Sequence, residues 1–137
     1  MADRPNSLGQ YCINVTDLDR SVEFWSEVIG IPVPSRTEIP TAKEVVLQAE
    51  MGGSRLQLAR LLDQDGPIDM GTAMWKLYVD TDDCQALYDK AVAWGCESVS
   101  EPQQLDRWPV TVAFIEDPDG YLIELLQHHE GVRPSLR

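Results

Sequence analysis

Apolar residues recur along the chain in two periods, and the changeovers between them mark its elements. From Leu8 to Val15 they alternate: Tyr11, Ile13 and Val15 share one face, Gln10, Cys12 and Asn14 the other, which predicts a half-buried strand. Asp17 then offers an N-cap. Leu18, Val22, Trp25, Val28 and Ile29 follow at helical spacing until Gly30 closes the helix. Pro32 and Pro34 interrupt Ile31–Ile39, so that stretch predicts a weak or edge strand. Residues 44–50 and 54–61 predict two strands joined across Met51-Gly52-Gly53, a hairpin signal. In the second of these Arg55, Gln57 and Ala59 share a face opposite Leu56 and Leu58. Residues 62–72 (LDQDGPIDMGT) are polar and rich in turn formers and read as a linker.

The pattern then begins again. Ala73–Thr81 predicts a strand with Trp75, Leu77 and Val79 on one face and Lys76, Tyr78 and Asp80 on the other. Asp82 or Asp83 caps a helix carrying Leu87, Ala91 and Trp94, and Gly95 ends it. Ser98–Pro102 predicts a short strand, followed by a loop through Trp108 and Pro109. The stretch from Val112 to Leu126 reads as strand, tight turn, strand. Pro118 presets φ for the first central turn position, Asp119 suits the second, and Gly120 takes positive φ after them, while Asp117 can bond back to the turn backbone. In the last strand Tyr121, Ile123 and Leu125 point one way, and Leu122, Glu124 and Leu126 the other. Glu124 is thus a carboxylate in the middle of an apolar strand. Burying it unpaired costs several kcal/mol, so it must meet water, a cation, a metal or a donor.

The order βαβββ therefore occurs twice. The expected organisation is a first module over residues 1–61, a linker over 62–72, a second module over 73–127 and a polar tail over 128–137. An internal duplication accounts for it. Each strand with one apolar face backed by a helix leaves a second face over. If both halves curl the same way, these faces enclose a cavity lined by Gln10, Cys12, Asn14, Arg55, Gln57, Lys76, Tyr78 and Glu124. The fold class is α+β, two tandem βαβββ modules forming curved sheets around a cavity.

Composition narrows the partners. The 137 residues carry a formal net charge of −12, and no basic stripe suited to phosphates is present, so a nucleic-acid partner is not expected. No apolar run approaches the roughly 20 residues that span a bilayer, and Met1–Gly9 has no apolar core of a signal peptide. Cys12, Cys84 and Cys96 are widely spaced and never form a Cys-x-x-Cys pair, which points to a reducing cytoplasm rather than disulfides or a thiolate zinc site.

Two segments, Tyr11–Gly30 (YCINVTDLDRSVEFWSEVIG) and Ala113–Leu125 (AFIEDPDGYLIEL), resemble signatures of the vicinal-oxygen-chelate superfamily. That superfamily includes glyoxalase I, extradiol dioxygenases, methylmalonyl-coenzyme A epimerase and the fosfomycin and bleomycin resistance proteins, all built from paired βαβββ modules. In its enzymes, four side chains from four strands hold a divalent metal. Carried over by position, the resemblance implies Gln10, Gln57 and Glu124 as ligands. The third ligand, usually histidine, falls on Lys76 or, one place off, on Trp75. Protonated lysine has no lone pair, tryptophan only donates, and amide oxygens are weak partners for zinc, nickel or iron. No cofactor is therefore expected: the Lys76 ammonium stands in for the metal beside Glu124.

The resemblance implies first a protein of the bleomycin-resistance type that binds a small organic molecule without a transition metal. Gln10, Asn14, Arg55, Gln57, Tyr78 and Trp108 would contact the ligand, and a homodimer would cover the open sheet edges. The alternative is a lyase, isomerase or dioxygenase in which Glu124 and Lys76 are catalytic, with or without a divalent metal. Cys12 reads as a packed thiol, Trp25 and Trp94 as core, and His128 and His129 as exposed tail.

Overall fold

The computed structural model describes residues 5–48 and 54–129. The described residues fall into two compact units, divided between Gly66 and Pro67. The first holds β1 (Gln10–Asn14), α1 (Leu18–Glu23), β2 (Ser35–Ile39), β3 (Ala42–Leu47) and β4 (Arg55–Leu61), with sheet order β1-β4-β3-β2. β1 runs parallel to β4, and the other pairs are antiparallel. Asp17 caps α1 as its side chain accepts from the Arg20 amide at 3.1 Å.

The helix does not stay α-helical to its end. Phe24–Val28 forms a π-helical turn, with the Ile29 amide reaching back to the Phe24 carbonyl at 3.0 Å. The Ser26 hydroxyl takes the Val22 carbonyl at 2.6 Å, which competes with the regular ladder. Phe24 and Trp25 are adjacent in sequence yet both are buried, packed edge to face with ring centroids 5.2 Å apart. They close the core over Ile13, Val15, Val45, Leu47 and Leu58. β2 is exposed along its whole length and forms a sheet edge, and Pro32 and Pro34 lie before the strand rather than within it. The expected hairpin turn at 51–53 lies outside the described residues.

The second unit holds β5 (Leu77–Asp80), α2 (Cys84–Trp94), β6 (Glu97–Gln104), β7 (Val110–Glu116) and β8 (Leu122–His128), in the order β5-β8-β7-β6. The two open mixed sheets and few helices make the fold α+β. Asp83 is the cap of α2, accepting from the Ala86 amide at 3.0 Å, and Gly95 ends the helix at φ +123°. The buried stripe of α2 is Cys84, Tyr88 and Ala91. Leu87 and Trp94 are only half-buried, which corrects the reading of Trp94 as core. Tyr88 fixes this rotation, because its hydroxyl bonds Ser98 at 2.6 Å.

Two strand boundaries also differ from expectation. β5 begins at Leu77 rather than Ala73, so Trp75 escapes the ladder and is 76% exposed instead of facing the core with Val79. β6 runs on past Pro102 to Gln104. It is an edge strand with register shifts between Ser98 and Gln103, and an edge irregularity is where a strand tolerates proline.

The turn between β7 and β8 forms as its residues dictate. Asp117 Oδ1 accepts from the Asp119 and Tyr121 amides, both at 2.9 Å, and the Gly120 amide bonds the Asp117 carbonyl at 3.0 Å. Gly120 sits at φ +95°, and a Cβ there would meet nothing within 4 Å. The cost of a side chain is thus purely conformational. Gly120→Ala is expected to lower stability by about 1 kcal/mol in urea unfolding, with the end-point spectra unchanged.

Candidate functional site

β8 places Glu124. Ile123 and Leu125 are fully buried on the face under α2, so alternation turns Glu124 to the opposite face. Register sets Tyr78 of β5 on one side of it and Phe114 of β7 on the other. Lys76 lies two residues ahead of Tyr78, just before β5 begins. Its Nζ is 2.5 Å from Glu124 Oε1, and both side chains are only 10% exposed. Three rings flank the ammonium, with centroids at 4.0 Å (Trp75), 4.8 Å (Tyr78) and 5.3 Å (Phe114). Burial by itself would pull the lysine pKa down. The hydrogen bonds to Glu124 and Tyr78 and the Glu124 charge outweigh it and hold the pKa above the usual value, so Lys76 is an ammonium at neutral pH.

The first unit carries the matching diagonal in neutral form. Gln10 is two residues ahead of Cys12, the register partner of Gln57, and its amide donates to Gln57 Oε1 at 2.8 Å. The Gln57 amide in turn donates to Glu44 on β3. Glu44 was not expected at this site. The signal for it was its place two residues before Val46, which pairs with Gln57 across the antiparallel β3–β4 ladder.

The other expected site residues are scattered over exposed positions. Asn14 and Arg55 are exposed in the first unit, and Tyr78 is 59% exposed in the second. Trp108 is 56% exposed in the loop before β7, with the Arg107 guanidinium 5.1 Å from its ring centroid. Cys12 is exposed rather than packed. Partial burial of its sulfur and then the Glu44 carboxylate push the thiol pKa up, so it stays protonated and is no nucleophile. His128 and His129 are not exposed tail. His128 Nε2 lies 3.8 Å from Asp80, and His129 bonds Thr111 at 2.7 Å through its ring and the Pro109 carbonyl at 2.8 Å through its amide. β8 runs one residue further than the sequence indicated and takes His128 into the sheet, with His129 directly after it.

The chain is similar in sequence to curated proteins over most of its length. The chain is 31% identical over 122 residues to a probable lactoylglutathione lyase of Vibrio cholerae, covering 87% of this chain and 88% of that protein. It is 30% identical over 123 residues to a lactoylglutathione lyase of Arabidopsis thaliana, covering 88% of this chain but 44% of the plant protein. Among solved structures, glyoxalase I from Zea mays superposes with a TM-score of 0.79 at 25% identity, covering 88% of this chain and 44% of the maize chain. The chain thus spans less than half the length of these two plant relatives.

This kinship corrects the expectation of a site without a cofactor: the relatives are lactoylglutathione lyases, and the superfamily's enzymes are the members for which the resemblance implies a divalent metal. The residues carried over for such an ion do not make a matching set here. Among the described residues no three His, Cys, Asp or Glu side chains gather. Gln10 and Gln57 spend their amides on each other and on Glu44, and Lys76 occupies Glu124 Oε1. Gln10 and Gln57 would offer only amide oxygens, which do not suit a metal that prefers nitrogen and carboxylate ligands. The family model for the Glyoxalase/Bleomycin resistance protein/Dioxygenase superfamily matches residues 7–125, nearly the whole described chain, and the chain belongs to that superfamily.

Proposed function

We propose that the chain binds a small organic molecule on the face of its second sheet that carries Lys76 and Glu124. The observation behind this reading is the buried ion pair beneath two exposed rings. Trp75 and Tyr78 offer planar surface to solvent, while the charges below them supply direction. Such a pair is weak evidence for stability, since burying two charges costs about as much as their attraction returns. The experiment is a thermal-shift screen of aromatic metabolites and cationic drugs, followed by calorimetry on any hit. Trp75→Ala is expected to weaken a genuine hit at least about tenfold, and a screen in which no compound stabilises the protein overturns the reading.

A second reading is a lyase or isomerase, and the lactoylglutathione lyases among the relatives favour it. Glu124 would take a proton from carbon next to a carbonyl, and Lys76 would hold the resulting oxyanion. It is tested by following turnover of lactoylglutathione with the protein as purified and after supplying divalent ions. Glu124→Gln and Lys76→Met should each remove activity while the circular dichroism spectrum persists. Retained turnover in either variant rejects those roles.

No helix among the described residues is long and apolar enough to cross a membrane. A cytoplasmic location is part of this proposal, supported by the free thiols of Cys12 and Cys84. So is a homodimer, which the open edges at β1, β2, β5 and β6 support.

A further inference from the structure

The group around Glu124 has the chemistry of a cation receptor. A carboxylate lies at the bottom, rings of Trp75, Tyr78 and Phe114 surround the space above it, and a primary ammonium fills that space at 2.5 Å from the carboxylate and 4.0–5.3 Å from the three ring centroids. Aromatic faces attract organic cations through their quadrupole and do so most strongly where water is excluded. A divalent ion asks for several oxygens, and among the described residues no three His, Cys, Asp or Glu side chains gather to supply them. The occupant is also lightly held by the backbone. Lys76 precedes the first ladder residue, Leu77, and residues 74–76 form no helix or strand.

We infer that Glu124, Trp75, Tyr78 and Phe114 form a receptor for a primary alkylammonium group, and that Lys76 is its resident, tethered occupant. The inference rests on the proposal that this face binds ligands and names the group the ligand presents. A free amine competes in the native chain against a lysine whose effective concentration is set by its short tether. It therefore enters only as part of a larger molecule that also covers the exposed faces of Trp75 and Tyr78.

The test is to remove the tether. Lys76→Ala is titrated with n-butylammonium chloride, and melting temperature and tryptophan emission are followed. n-Butanol, sodium chloride and magnesium chloride serve as controls. Saturable stabilisation by the amine alone, at an apparent affinity at least about tenfold above that of the native chain, is expected. Adding Glu124→Gln to the variant should abolish it. A folded Lys76→Ala variant that responds to the amine no more than to sodium chloride, or that prefers magnesium, overturns the inference. Hits in the screen of the native chain would then still support ligand binding at this face. Should Lys76→Ala not fold, the native protein decides through its lysine side-chain amine resonances. One of the three lysines, Lys43, Lys76 and Lys90, should show ammonium protons shifted by ring currents and slow to exchange, and Glu124→Gln should erase that signal. Three lysines all exchanging at the rate of free side chains reject the inference.

Discussion

Lys76→Met is expected to lower unfolding free energy by about 3–5 kcal/mol at pH 7, read from urea melts. The methionine keeps most of the stem volume, so little of the loss comes from packing. What remains is Glu124, one-tenth exposed, with its Oε1 stripped of the ammonium that held it at 2.5 Å. Lys76→Met/Glu124→Leu should be much nearer the native protein than the single variant, because both desolvation penalties leave together. A double variant no more stable than Lys76→Met shows that the pair is not electrostatically coupled. The sign of the pH dependence follows from the raised lysine value. The lysine's contribution is fully present below its ordinary pKa of 10.5 and is lost as pH rises through the higher folded value.

Asp117 should give the largest single-group pH dependence in the acid range. Burial raises its pKa from 3.8 to about 6, against the opposing backbone hydrogen bonds from Tyr121 and Asp119. The geometry explains why burial prevails. Oδ1 takes both amides, while Oδ2 is buried with no partner among the described residues, so a proton is favoured there. Because the folded value lies above the unfolded one, the folded state binds this proton more tightly. The group's contribution is greatest below about pH 4, falls as pH rises, and levels off above about 6, a change of about 3 kcal/mol. Asp117→Asn keeps the Oδ1 acceptor and removes the titration. The difference in stability between native and variant protein, measured from pH 3.5 to 7.5, should trace that fall. A difference curve flat across this range contradicts it.

The elements that could be read from sequence are those whose cause is local. Asp17 and Asp83 cap because a carboxylate in extended backbone reaches the amide three residues on, and Gly95 and Gly120 close their elements at positive φ. Glu124 stood out because a period of two leaves a strand residue only two faces. The misreadings arose where tertiary contacts decide. Nothing in periodicity marks the π turn that buries Phe24 beside Trp25. A pattern through Trp75 extends a strand that the ladder ends at Leu77. The histidines looked like tail because the chain beyond them is polar, yet Asp80 and Thr111 are their partners. The Lys76–Glu124 pairing came from a resemblance and a count along the chain. Its aromatic surroundings depend on register, which places Phe114 and Tyr78 on either side of Glu124.

Each sheet has its opening strand paired in parallel with its closing one, β1 with β4 and β5 with β8. As the polypeptide leaves the ribosome, β1 has no partner until Arg55–Leu61 has been made, and β5 waits for Leu122–His128. The strand translated first in each half is thus among the last to be satisfied. Contacts this distant along the chain are slow to form, and until they do each nascent half presents a bare strand to its surroundings.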